Sequence, residues 1–240
     1  MATPWERAGI SRNQLDRAGR LLRDWMVGGL LVDPEVLAAL DTLDAYRAEF
    51  TEPLTKVVMG LRSAVATEGA PVVVAQRLKR QPRVVAKLAR FPAMELSRMQ
   101  DIGGCRAILP DPGTVDAVHR RVLRHKSEVV RVDDYNSSPR SSGYRALHMI
   151  VRRDGALVEI QLRTPWQQQW ATLVEDLDGT LGLTLKDERG PDELLRYLQA
   201  LAYAQDRVYG GAGLSKVERE SLGSSRMRAE AWLRSRGAIR

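Results

Sequence analysis

The sequence YRALHMIVRRDGALVEIQLRT, residues 144–164, contains two alternating runs on either side of Asp154-Gly155. This dipeptide is a strong signal for a two-residue hairpin turn, and successive side chains of a strand point to opposite faces. If Arg153 pairs with Ala156, one face of the hairpin is entirely apolar and carries Leu147, Met149, Val151, Val158, Ile160 and Leu162. The segment therefore predicts a β-hairpin that packs one face into a core.

The other face of the hairpin is polar. In the same register Tyr144 lies in line with three cross-strand pairs, which are His148 with Gln161, Ile150 with Glu159, and Ala146 with Arg163. An aromatic ring, an imidazole, a carboxylate, an amide and a guanidinium then lie close together, and such a set suits a phosphorylated ligand with a metal. Antiparallel sheets commonly have a solvated polar face, so on the hairpin alone that plainer interpretation stays open.

Composition narrows the class of protein. The 240 residues suffice for one sizeable core with helical extensions. A net charge of +7 favours polyanionic ligands such as nucleotides or nucleic acid. The single cysteine, Cys105, excludes a disulfide framework and is expected in the core. There is no N-terminal signal peptide and no apolar run of about 18 residues, so we expect a cytoplasmic protein that does not span a membrane.

Capping and periodicity signals predict an α+β fold with a sheet that helices cover on one face and leave open on the other. Strands are predicted over 72–75, 105–109 and 128–132, besides the hairpin, and a loop over 134–143. A helix is expected to begin at Asp33-Pro34 and to continue beyond Pro53, and Thr114 is the predicted cap of another. The remaining helices are predicted over 11–31, 82–93, 114–123, 166–177, 191–209 and 216–240. We expect an N-terminal helical extension (1–70), a core (71–180) and a C-terminal helical extension (181–240).

Cations are concentrated before the hairpin. The segment 76–106 carries eight cations against two anions. Such a run is often only a solvated helix face. The functional alternative is a triphosphate cradle, in which lysines supply point charges and arginines form bidentate phosphate bonds or stack on a base.

Four segments together resemble a known family. RLK (77–79), QDIGGCR (100–106), DY followed by PRSSGYRALH (134–148) and VEIQLRT (158–164) resemble, in order and spacing, the synthetase domain of the RelA/SpoT alarmone enzymes. The small single-domain members fit best, and the resemblance covers Ala75–Asp178. It implies a nucleotidyltransferase-like mixed sheet flanked by helices, and ATP-dependent pyrophosphate transfer with Mg²⁺ as cofactor.

The resemblance also implies roles for the donor side of the site. Arg77 and Arg106 match the arginines that sandwich the adenine of ATP, and Lys79 and Lys87 match cations on its phosphates. Asp101 matches the magnesium-binding aspartate.

On the acceptor side, Glu159 matches the glutamate that approaches the metal and activates the attacking hydroxyl. Tyr144 matches the ring that stacks on the acceptor base. The residues matched around the acceptor and phosphates are Arg145, His148, Gln161 and Arg163.

Three departures from the family pattern lie on the acceptor side. Ser142 replaces the usual Asn before Gly-Tyr, Asp133 replaces a Lys, and Val174-Glu175 replaces the Glu-His pair after Trp-Ala. No His-Asp dipeptide occurs, so the metal-dependent hydrolase half of the alarmone enzymes is absent and synthesis without hydrolysis is predicted.

These observations lead to one main hypothesis and two alternatives. The main one is a pyrophosphokinase that makes guanosine tetra- or pentaphosphate from GDP or GTP and inhibits growth. The first alternative is a toxin of the toxic small-synthetase branch that pyrophosphorylates the 3′ end of tRNA, supported by the basic tail at Arg226, Arg228, Arg234, Arg236 and Arg240. The second is a catalytically silent nucleotide- or RNA-binding module. An antitoxin protein and a homo-oligomer are the protein partners that the family suggests.

Overall fold

The structure is a computed structural model, and it describes residues 1–29, 31–124 and 128–239. The N-terminal helices are α1 (Pro4–Arg7), α2 (Arg12–Gly28), α3 (Pro34–Ala48) and α4 (Thr51–Thr67). Ser11 caps α2 as predicted, since its hydroxyl accepts from the backbone N–H of Gln14. Asp33 caps α3 by accepting from the N–H of Val36, and Pro34 occupies the first turn.

Five strands form a mixed sheet in the order β1-β2-β5-β4-β3. They are β1 (Val74–Leu78), β2 (Gly103–Ile108), β3 (Glu128–Asp134), β4 (Leu147–Arg153) and β5 (Ala156–Arg163). Strands β1 and β2 are antiparallel, with Val74 opposite Ala107 and Leu78 opposite Gly103. Helix α5 (Gln81–Arg90) and α6 (Pro112–Leu123) lie between strands in the chain, and α7 (Pro165–Leu181), α8 (Asp192–Tyr209) and α9 (Lys216–Ser235) follow the sheet.

The predicted hairpin is confirmed. Strand β4 ends at Arg153, β5 begins at Ala156, and both turn residues have positive φ, 47° for Asp154 and 76° for Gly155. Two positive φ values in a two-residue loop match the twist of the flanking strands. The six apolar residues predicted for one face are each at most 2% exposed.

The chain divides into two compact units. The first comprises 1–107, 116–132 and 148–161, and its apolar core joins α2, α3 and α5 through residues such as Leu22, Leu43 and Leu88. The second comprises 108–115, 133–147 and 162–240, and its core gathers Trp170 and Leu198 from α7 and α8. The predicted limits at 70/71 and 180/181 stay a prediction.

Several predicted boundaries need correction. Strand β1 begins at Val74, because Val72 and Val73 lie outside the pairing with β2 and are exposed. The cap of α6 is Asp111, whose carboxylate accepts from the N–H and hydroxyl of Thr114 at 2.8 Å each. Four helix ends also differ from prediction: α2 stops at Gly28, α5 stops at Arg90, α7 extends to Leu181 and α9 stops at Ser235. The helix predicted from Asp33-Pro34 to beyond Pro53 is two helices, since α3 ends at Ala48 and α4 begins at Thr51.

Two further sequence predictions can be compared with the structure. Cys105 is 5% exposed, as expected of a core residue, and burial raises the pKa of its thiol to about 12. Within the described ranges, no helix combines the length and apolar character needed to cross a membrane.

Candidate active site

Arg77 and Arg106, the predicted adenine contacts, lie on the neighbouring strands β1 and β2. Gly104 lies opposite Arg77 in the β1–β2 pairing, and Arg106 lies opposite Ala75. Arg77 and Arg106 are therefore diagonal neighbours on the same face. Arg77 is exposed and Arg106 is partly buried. Their proposed grip on an adenine stays a prediction.

Asp101 lies just before β2 between two lysines. The N–H of Lys79 donates to the carbonyl of Ile102 at 2.8 Å, which fixes this lysine beside the aspartate. Lys79 Nζ lies 2.8 Å from Asp101 Oδ2, and Lys87 Nζ lies 2.8 Å from Asp101 Oδ1. Burial by itself would raise the pKa of Asp101, but the two ammonium groups outweigh it and hold the pKa below its usual value. Asp101 is thus a carboxylate at neutral pH.

Glu159 on β5 has its own pair of polar neighbours. His148 Nδ1 lies 3.0 Å from Glu159 Oε1, and the amide of Gln161 donates to Glu159 Oε2 at 2.7 Å. Burial raises the pKa of Glu159, but His148 and Gln161 more than offset it and the pKa lies below its usual value. The predicted proximity of His148, Glu159 and Gln161 is therefore found.

The two carboxylates face one cleft of about 290 Å³. Lys87, Arg98 and Arg131 line the same cleft and supply three positive charges, and Gln100 adds an amide. The cleft therefore combines two carboxylates that can bind a metal with three cationic side chains that can bind phosphate oxygens. Arg131 was not among the site residues predicted from the sequence. Its place on the strand predicted over 128–132, where side chains alternate between the two faces, could have indicated it. Gln100 and Arg98 lay in segments already noted for their motif and charge.

The residues of the cleft fit a magnesium ion. Within the described part of the chain, no group of three or more His, Cys, Asp or Glu side chains could hold a metal. A two-carboxylate site suits Mg²⁺, which prefers oxygen ligands and fills its shell with water and substrate phosphates. Asp101 Oδ1 is buried and lies 2.8 Å from Lys87 Nζ, so this oxygen already faces a cation.

Tyr144 lies in the second unit and is only 1% exposed. Its ring meets Tyr135 edge-on at 5.7 Å, and Lys186 Nζ lies 5.3 Å from the ring centroid. Its hydroxyl accepts from buried Arg163 at 2.7 Å, and Arg163 also donates to Gln168 at 3.0 Å. Stacking on an acceptor base stays a prediction and requires a face of this ring to be uncovered.

Arg145 is also engaged within the second unit. It donates to the carbonyl of Asn136 at 3.1 Å and pairs with Asp206 at 3.3 Å. Contact of Arg145 with an acceptor stays a prediction. It would require Arg145 to leave Asn136 or Asp206.

Two of the departures from the family pattern have local explanations in the second unit. Val174 is fully buried in the apolar core beside Trp170, so the usual glutamate would leave a charge without water there. Ser142 is fully buried next to Gly143, whose φ is 91° and whose added Cβ would lie 2.8 Å from the Cβ of Ala202. The tight packing favours a small side chain at 142.

Comparison with known proteins identifies the family. A sequence model described as the region found in RelA / SpoT proteins matches residues 76–177. The GTP pyrophosphokinase YjbM of Bacillus subtilis is 30% identical over 147 residues, which are 55% of this chain and 69% of that protein. The chain belongs to the RelA/SpoT family. The uncharacterized protein Rv1366 of Mycobacterium tuberculosis is 30% identical over 197 residues, which are 80% of this chain and 65% of that protein, so this chain spans less than two thirds of that relative's length.

Solved structures agree with the family and confirm the predicted fold class. Small alarmone synthetase 1 from Bacillus subtilis, bound to its product pppGpp, matches with a TM-score of 0.58 and 25% identity, over 68% of this chain and 93% of that one. Small alarmone synthetase 2 from the same organism matches with a TM-score of 0.58 and 22% identity, over 74% and 96% of the two chains. The RelA/SpoT resemblance and the nucleotidyltransferase-like sheet are thus confirmed.

Proposed function

We propose that this RelA/SpoT-family chain is a pyrophosphokinase that transfers pyrophosphate from ATP to the ribose 3′-hydroxyl of GDP or GTP. The observation that carries the proposal is the cleft in which Asp101 and Glu159 face Lys87, Arg98 and Arg131. Support comes from the relative named a GTP pyrophosphokinase and from the similar synthetase bound to pppGpp.

The proposed chemistry depends mainly on position and charge. The 3′-oxygen forms a bond to the β-phosphorus of ATP, the bond from that phosphorus to the bridging oxygen of the α-phosphate breaks, and AMP leaves. Because charge spreads over the phosphate oxygens during the transfer, fixed cations such as Lys87 and Arg98 lower the barrier. Arg77 and Arg106 would hold the adenine, and Lys79 would contribute a further phosphate contact.

Glu159 is the proposed acceptor of the hydroxyl proton. His148 and Gln161 keep it ionised and fix both of its oxygens, so it faces the cleft in one orientation. It would pass the proton on to solvent after AMP leaves. Asp101 and Glu159 would also hold the Mg²⁺ ion, which when bound supplies charge neutralisation for the phosphates.

A silent binding module is disfavoured by the same cleft. A site that only bound phosphates would gain nothing from two ionised carboxylates beside them, since like charges repel. The tRNA alternative loses part of its support, because Arg226 and Arg234 on α9 pair with Glu230 at 2.6 Å and 3.7 Å. Arg240 lies outside the described residues.

The test is transfer of label from γ-labelled ATP. The purified chain is incubated with GDP, GTP or total tRNA, and labelled product and AMP are measured together. The expected result is label on the guanine nucleotide with one AMP per product. Glu159→Gln serves as the inactive variant, and Glu52→Gln, at an exposed position of α4, serves as the matched control.

The other outcomes identify the alternatives. Label on tRNA alone would replace the nucleotide acceptor by the tRNA 3′ end. Binding of ATP without transfer of label to any acceptor would support the catalytically silent binding module.

A further inference from the structure

One face of helix α2 runs along the segment 91–99, which leads into the cleft. Arg23 donates to the carbonyl of Pro92 at 2.8 Å, and Arg20 bonds both carboxylate oxygens of Glu95 at 3.1 Å and 2.9 Å. A Cβ added to Gly19 would lie 2.7 Å from the Cβ of Leu96, so the helix and the segment touch at this glycine. The segment is therefore held by α2 along most of its length.

Asp16 makes the most specific of these contacts. Its Oδ1 accepts from the backbone N–H of Ser97 at 2.8 Å, and its Oδ2 accepts from the hydroxyl of Ser97 at 2.9 Å. Asp16 is 7% exposed, and Arg12 Nε lies 3.7 Å from its Oδ2. A buried carboxylate with both oxygens bonded to one residue fixes that residue in position and orientation.

Ser97 lies in the middle of the short 3₁₀ turn Leu96–Arg98. Arg98, Gln100 and Asp101, three residues that line the cleft, follow it within four positions. The Asp16–Ser97 contact thus holds the chain four residues before the proposed metal ligand, and Met99 between them packs into the core that includes α2.

We infer that Asp16 is a positioning residue for the candidate active site, and the inference rests on the proposed function. It acts through Ser97 on the placement of Arg98 and Asp101, and it is not among the residues that line the cleft. Helix α2 then supports the site, although it lies outside the segment 76–177 that the family model matches.

The inference predicts a selective kinetic defect. Without the carboxylate, Ser97 loses both bonds to Asp16, and the stretch from Arg98 to Asp101 loses one of the contacts that hold it in place. Displacement of a reactive group by about 1 Å can cost a factor of up to ~100 in rate, so we expect Asp16→Ala to lower kcat at least ~10-fold. The Mg²⁺ concentration for half-maximal rate should rise, while KM for GDP should stay unchanged.

The conservative variant separates positioning from charge. In Asp16→Asn the amide oxygen can accept from the Ser97 N–H and the amide nitrogen can donate to the Ser97 hydroxyl, so kcat should return to within about threefold of wild type, since both bonds are kept. Ser97→Ala removes one of the two bonds and should give an intermediate kcat. It also provides a milder test if Asp16→Ala does not fold.

Asp111→Ala is the matched control. Asp111 accepts from the N–H and hydroxyl of Thr114 at 2.8 Å each, the same pair of bonds that Asp16 makes with Ser97, but it caps α6. Its removal should lower stability without changing kcat or the Mg²⁺ dependence.

Amide hydrogen exchange over 96–101 gives a second readout that needs no activity. Exchange in this segment should accelerate in Asp16→Ala and not in Asp111→Ala. Unchanged kcat and unchanged exchange in folded Asp16→Ala would overturn the inference while an active wild type upholds the proposed function. An inactive wild type with faster exchange in Asp16→Ala would reject the function and keep the positioning of the segment.

Discussion

The two carboxylates of the cleft keep their charge for different reasons, Asp101 through two lysines and Glu159 through His148 and Gln161. Both Asp101→Asn and Glu159→Gln are nearly isosteric and should leave the fold intact. Loss of a proton acceptor or a metal-adjacent charge typically costs about 10²–10⁴-fold in rate, so we expect kcat losses in that range for each variant. Single-turnover transfer with saturating ATP measures this, and near-normal turnover in either variant would contradict the assigned site.

A pH dependence of stability follows from the same two groups. The folded pKa values of Asp101 and Glu159 lie below their ordinary values of 3.8 and 4.5. Their ionised forms therefore stabilise the fold above those values, and this contribution is lost as the pH falls through the folded pKa. In urea titrations, the free energy of unfolding of wild type should fall more steeply below pH 4.5 than that of Glu159→Gln. Parallel curves for the two proteins would contradict the direction of the shift.

Tyr144 requires a gentler substitution than alanine. The ring is buried, and truncation of a buried aromatic costs about 3–5 kcal/mol, which would obscure any effect on the acceptor. Tyr144→Phe removes only the hydroxyl that accepts from buried Arg163, and an unsatisfied buried donor costs about 1–3 kcal/mol. Tyr203→Phe is the control, because its hydroxyl bonds Glu218 at the surface, so its removal should cost less than removal of the Tyr144 hydroxyl. Equal losses in chemical unfolding would show that Arg163 does not depend on this hydroxyl.

At the scale of elements, the hairpin turn is joined to the N-terminal segment. Arg7 donates to the carbonyls of Ala2 at 2.9 Å and of Asp154 at 2.6 Å. A Cβ on Gly155 would lie 2.2 Å from the carbonyl oxygen of Ala2, and the φ of Gly155 is 76°. The turn thus needs glycine for two separate reasons.

Gly155→Ala should therefore destabilise the protein by at least about 1–2 kcal/mol from the left-handed backbone alone, with a further loss as the N-terminal segment moves. Gly179→Ala in α7 is the control, since a Cβ there meets no atom within 4 Å and should be neutral or stabilising. Thermal unfolding of the two variants measures the difference. A Tm for Gly155→Ala equal to wild type would contradict the predicted strain.

Local signals predicted elements well where the cause is local. Asp154-Gly155 specified the hairpin, and Ser11 marked the start of α2, because turn and cap preferences act over a few residues. The predicted cap of α6 was wrong although a local signal was present, because Asp111-Pro112 is the same Asp-Pro pair that starts α3 at Asp33-Pro34. The predicted start of β1 was wrong because Val72 and Val73 have strand propensity but no partner on β2.

At the scale of the whole molecule, the difference between local signals and long-range contacts explains how much of the candidate site could be predicted. Asp101 and Glu159 were found through family motifs, and the fold brings both to one cleft. The burial of Tyr144 could not be predicted, because the groups that cover it, Trp170 and Lys186, come from distant parts of the sequence. The role of Asp16 was equally hidden, since it depends on a tertiary contact with Ser97.

The last prediction concerns the chain inside a cell. An active synthetase that is overproduced without an inhibitory partner should accumulate its product. Induced expression of wild type in a bacterium should arrest growth. Cells that express Glu159→Gln at the same protein level should grow normally, and cells that express Glu52→Gln should be arrested like those with wild type. Rising guanosine tetraphosphate, and relief by a co-expressed hydrolase that acts only on nucleotides, would support the nucleotide acceptor. Arrest with blocked aminoacylation and unchanged guanosine tetraphosphate would instead identify tRNA, and harmless expression of folded wild type would contradict growth inhibition by either route.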